Sequence, residues 1–158
     1  MPVRFSPARM GCVLLLLGAT VGAQSSAVKP LVDKDHRRMQ PEAATSFTGT
    51  TINIIGDPSK PGIYVIRRLF TSGETTPPHH HDQDRYVTVI KGMWWTGEGD
   101  VKRPEQMVPI ATGGFMLHPA GLHHYDGSKE GEVIVQIIGM GPVKTTDVDA
   151  QGKPVGIR

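Results

Sequence analysis

From Thr48 onward the chain alternates short apolar, β-branched runs with glycine and proline. The runs are Thr50–Ile55, Ile63–Phe70, Tyr86–Ile90, Met93–Thr96, Gly114–Leu117 and Glu132–Ile138. Their length, side-chain types and turn boundaries predict strands. No segment holds a sustained, capped helical period. With 19 glycines and 13 prolines available for tight turns, closely spaced short strands predict an all-β sandwich or barrel.

The pattern before Thr48 is different. Arg4 and Arg9 precede the apolar run Gly11–Leu17, and Val21-Gly22-Ala23 closes the segment in small residues. This order predicts a cleavable signal peptide over residues 1–23, cut before Gln24. The apolar stretch is roughly a dozen residues, short of the ~20 that a spanning helix needs. A retained anchor is the alternative. Residues 24–45 are polar and irregular and read as a linker or N-terminal arm. Residues 46–146 read as the β domain, and Asp147–Arg158 as a polar, mobile tail.

Charge and cysteine content change with the leader. The full chain has 17 Lys and Arg against 15 acids, and loss of Arg4 and Arg9 leaves 15 against 15. A basic footprint for nucleic acid is therefore not expected. The only cysteine, Cys12, lies in the leader, so disulfide and thiol chemistry are not expected of the mature chain. The length suits one domain. The expected location is secreted or periplasmic, with no stable membrane anchor after cleavage.

Five of the seven histidines fall in two groups, His79-His80-His81 and His123-His124. On an extended segment, residues two apart share a face. His79 and His81 would then project together, ~6.7 Å apart at a rise of ~3.3 Å per residue, with His80 opposite. A third imidazole from another strand would complete a nitrogen set suited to iron, manganese, nickel, copper or zinc. Spacing alone leaves a polar surface patch as an equal reading.

Two longer patterns sharpen this. Gly73, five residues, His79-x-His81, three residues, Arg85, six residues and Gly92 resemble the first motif of the cupin superfamily. Gly113, five residues, Pro119-x-Gly121, two residues and His124 resemble the second. Residues 93–112 separate them, a spacing similar to that of small, single-domain RmlC-like cupins. The resemblance implies a single jelly-roll barrel, often a homodimer, with metal ligands at His79, His81 and His124. A cupin that keeps the histidines without a functional ion is the alternative.

One position departs from that pattern. Arg85 stands where the family usually has a ligating Glu, and a guanidinium has no lone pair to give a cation. Gln83, in phase with His81 and Arg85, is an alternative oxygen ligand. Asp82 or Asp84 could ligate if the strand bulges, although both read better as surface acids, Asp84 as a partner of Arg85. Arg85 itself is expected to point inward and receive an anionic ligand. His118 reads as barrel lining or as a hydrogen-bonded structural residue. His123 reads as a surface or interface residue. Of Trp94 and Trp95, one should face in and one out. Tyr86, Met93, Phe115 and Met116 read as core or pocket lining.

No phosphate-binding loop, nucleophile elbow or CxxC occurs. The functional expectation is a metal-dependent, oxygenase-type reaction on a small organic substrate, anionic or enolisable. The alternative is a non-catalytic extracytoplasmic binding or sensing domain. Metal-free sugar isomerisation would need a general base, and the histidines are better explained as ligands.

Overall fold

The structure is a computed structural model that describes residues 47–157. The expected leader and the whole of the expected arm lie outside the described residues. Eleven strands form two antiparallel sheets: β1 (Thr51–Ile55), β2 (Gly62–Phe70), β3 (His79–His81), β4 (Arg85–Lys91), β5 (Met93–Glu98), β6 (Val108–Ala111), β7 (Phe115–His118), β8 (His124–Gly127), β9 (Val133–Gly141), β10 (Thr145–Val148) and β11 (Pro154–Ile157). The first sheet runs β1-β2-β9-β4-β7, and the second β11-β10-β3-β8-β5-β6. A short 3₁₀ turn at Pro104–Gln106 precedes β6.

All six predicted strands form. Alternation then decides what each residue meets. Tyr64, Ile66 and Phe70 of β2, Val87 and Val89 of β4, and Val133, Val135 and Ile137 of β9 face inward and pack with Trp94 of β5. Ile110, Met116 and Val143 close the cluster. Removal of each such side chain from water contributes ~1.5–3 kcal/mol. With Arg85, Val87 and Val89 turned in, Tyr86 must turn out. Tyr86, Met93 and Phe115 are exposed, so their expected place in the core is corrected, although Tyr86 lines a pocket on the outer face; Met116 does pack against the core. Trp94 is the inward tryptophan, and Trp95 lies outside under the ammonium of Lys129, 3.8 Å from its ring centroid.

The outer face of the first sheet carries a continuous apolar row. The register places Val65 opposite Ile138, Ile138 opposite Tyr86 and Tyr86 opposite Leu117. Ile63, Met140 and Phe115 extend it, all of them exposed.

The expected mobile tail is also corrected. Asp147 and Val148 complete β10, and residues 154–157 return as β11 on the edge of the second sheet. Val148 is buried. The Asp149 carboxylate closes the intervening turn by accepting from the backbone N–H groups of Gln151 and Lys153. An edge strand needs only one row of partners, which is why Pro154 is tolerated at its start.

Candidate metal centre

Short β3 sits between β10 and β8, with His81 opposite Thr145 and His79 opposite His124. His79 and His81 are buried, as is His124. Their ring centroids lie 4.4 to 5.2 Å apart, and one potential ligand atom from each falls within 4.8 Å of the others. Gly121 makes the turn that delivers His124. It has φ of +77°, a conformation that side-chain-bearing residues rarely adopt, and its N–H donates to the His81 carbonyl at 2.7 Å.

Each imidazole is oriented by its other nitrogen. His79 Nδ1 donates to the Pro77 carbonyl at 2.8 Å, and His124 Nδ1 to the Leu122 carbonyl at 2.9 Å. A carbonyl only accepts, so both rings carry a proton on Nδ1, and in the neutral ring Nε2 holds the lone pair. His81 Nδ1 meets the Thr145 hydroxyl at 3.0 Å. His124 Nε2 is buried and finds no hydrogen-bond partner among the described residues. Rings fixed through one nitrogen and presenting the other are how proteins prepare histidine ligands, so the donor set fits a divalent transition metal.

Electrostatics disfavour protonation of His81 and His124. Burial pushes the His81 pKa far below its ordinary value, and the Arg85 guanidinium pushes it further. Burial, then the neighbouring His79, lowers His124 to about 3. His80, by contrast, turns to the opposite face and stacks on His123 at 4.9 Å. His123 is in turn held to the Asp100 carboxylate at 2.5 Å.

Arg85 points inward. Its Nη1 lies 2.7 Å from His81 Nε2. Across the first sheet, Tyr64, Gly139, Arg85 and His118 occupy one row of four strands. Gly139 leaves space that the Tyr64 ring fills; a Cβ there would lie 2.5 Å from the Tyr64 hydroxyl. Burial raises the Tyr64 pKa, and the positive charge of Arg85 opposes the rise. His79, His81, Arg85, Tyr64, Trp94 and His118 line a cavity of about 630 Å³ that opens between the sheets.

The remaining sequence candidates resolve differently. Gln83 is exposed in the β3–β4 turn and lines an outer pocket with Tyr86 and Met140, so it is not one of the residues gathered around the imidazoles. Asp82 accepts from the Lys144 N–H and Asp84 from the Ala120 N–H, both at 2.8 Å. They are turn-forming acids. His118 does line the barrel, but its Nε2 lacks a hydrogen-bond partner among the described residues, and the ring stacks on His124 at 3.8 Å. Its pKa is lowered by burial and then by His124.

Asp126 was missed by the sequence reading. With His118 and His124 it forms a second buried group of closely spaced ligand atoms, and its carboxylate lies 3.9 Å from His124 Nε2. Strand parity with His124 was the available signal.

A jelly-roll barrel with an internal histidine cluster defines the class. No family model and no curated protein matches the chain. Among solved structures it is similar to a cupin 2 domain-containing protein from Halorhodospira halophila, at 15% identity over 65% of this chain and 70% of that one, with a TM-score of 0.54. It is also similar to a protein of unknown function with a cupin-like fold from Ralstonia eutropha, at 23% identity over 68% of this chain and 62% of that one, with a TM-score of 0.51. The chain thus spans less than two thirds of the Ralstonia protein. At these identities the likeness is one of fold, and this chain has a cupin-like fold.

Proposed function

We propose that the protein is an exported, metal-binding cupin that carries out an oxygenase-type reaction on a small organic substrate, anionic or enolisable. The observation that carries this reading is the set of three buried imidazoles, each oriented through Nδ1, beside an inward arginine in one cavity. His79, His81 and His124 would hold the ion. A bound iron, manganese, nickel, copper or zinc supplies Lewis acidity and, for the redox-active members, electron transfer.

The chain's own groups do the rest. Arg85 offers a fork of donors to a two-oxygen anion. The Tyr64 hydroxyl lies on the same side of the cavity, and Val87, Trp94 and Ile137 give it an apolar wall that excludes water. One observation favours a second reading, a non-catalytic binding or sensing cupin: the Arg85 guanidinium lies against the His81 ring, a positive charge beside the place a metal would take.

Oxygen uptake by the iron-loaded protein with candidate phenols and diketones separates the two readings. Substrate-dependent consumption supports the enzyme; binding without consumption supports the sensor. Export rests on the basic–apolar–small order ending at Ala23. Intact mass of the exported protein should begin near Gln24, and retention of Leu14–Leu17 would contradict it. We also infer a homodimer, supported by the exposed apolar row on the first sheet.

A further inference from the structure

Arg85 stands in a specific place, across the His81 ring. Its Nη1 is 2.7 Å from His81 Nε2 and 3.4 Å from Nδ1, which the Thr145 hydroxyl holds at 3.0 Å. With both ring nitrogens this near, the guanidinium lies over the imidazole face and not along the in-plane lone pair of Nε2. A cation on that lone pair would have the guanidinium charge as an immediate neighbour.

We propose that Arg85 is a lock on the metal site and that a small carboxylate is its key, so that metal and carboxylate bind cooperatively. The inference rests on the three-histidine metal reading and deepens it. A cation entering at His79, His81 and His124 is opposed by Arg85, itself a cation lining the same cavity. Alone, the metal meets a like charge held against the His81 ring. A carboxylate offers the guanidinium two parallel acceptors, a stronger contact than the one to an imidazole. Drawing Arg85 onto the carboxylate takes it off the His81 ring and offsets the guanidinium charge.

Thr145 keeps the His81 ring in place through this exchange, because its bond is to the other nitrogen. The favoured ligands are therefore small organic acids, and neutral molecules of the same shape would not open the site.

The test is Zn²⁺ titration of the tag-free wild-type protein by calorimetry, with and without saturating benzoate, which chelates zinc weakly. Benzoate should tighten Zn²⁺ binding roughly tenfold, within the ~5–150-fold range usual for coupled sites. By reciprocity Zn²⁺ should tighten benzoate binding by the same factor. Arg85→Ala, and the bulkier Arg85→Met if alanine unfolds the protein, should bind Zn²⁺ at least as tightly as wild type with benzoate, with no benzoate effect. Zn²⁺ binding to wild type that ignores benzoate, or weaker Zn²⁺ binding after Arg85→Met, would overturn the lock while leaving the metal site standing. Failure of wild type to bind Zn²⁺ under either condition would overturn both.

Discussion

Each of the converging imidazoles uses both ring nitrogens, one to fix the ring and one to face its neighbours. Burial then makes protonation costly. His81, His118 and His124 all have pKa values depressed from an ordinary 6.5, burial being the main cause in each. In the unfolded chain they take up protons as pH falls below 6.5, whereas in the fold they stay neutral. The unfolded state thus binds more protons, and stability falls with pH by up to ~1.4 kcal/mol per pH unit for each histidine. Metal-free protein should melt at progressively lower temperature from pH 6.5 down to about 3, where His124 itself titrates in the fold. His118→Leu should make that decline shallower. A melting temperature that does not fall over this range would contradict the buried, neutral assignment.

At the scale of strands, Gly139 shows how register makes the site. It lies on β9 between Tyr64 of β2 and Arg85 of β4, and its missing side chain is the space that Tyr64 occupies. Gly139→Ala should cost ~1–3 kcal/mol, as overpacking commonly does, seen as a lower melting temperature. It should also weaken carboxylate binding by displacing Tyr64 from Arg85; an unchanged melting temperature would mean the space is not filled.

Strands of this kind differed in how legible they were. Runs of valine and isoleucine announced β2, β4 and β9 because both of their edges are paired and their inner faces are apolar. β6 and β11 were hidden by Pro109 and Pro154, residues that edge strands accept and inner strands do not. β8 was hidden because His124 and Asp126 take up its inward positions. The pairing of His79 with His81 could be read from parity alone. The approach of His118 could not, since nothing local reveals that β7 lies beside β4 and carries His118 opposite Arg85.

At the scale of the whole molecule, two surfaces stand out, one inside and one outside. The outer apolar row of the first sheet, Val65, Ile138, Tyr86 and Leu117 with Ile63, Met140 and Phe115 beside it, is the face on which the inferred homodimer would form. Tyr86→Lys combined with Ile138→Lys should shift the sedimentation of a dimer to that of a monomer and leave the melting profile cooperative. A wild-type chain that sediments as a monomer would contradict the homodimer.

The inner surface carries the central claim, a metal ion at His79, His81 and His124. Elemental analysis tests it most directly, using protein prepared without a His-tag or a nickel column, dialysed against divalent transition metals and desalted. A single equivalent of metal should remain per wild-type chain. It should be lost in His79→Ala, His81→Ala and His124→Ala and kept in His80→Ala and His123→Ala, whose rings stack on the opposite face. Metal-free wild type, or equal loss from His80→Ala, would contradict the account.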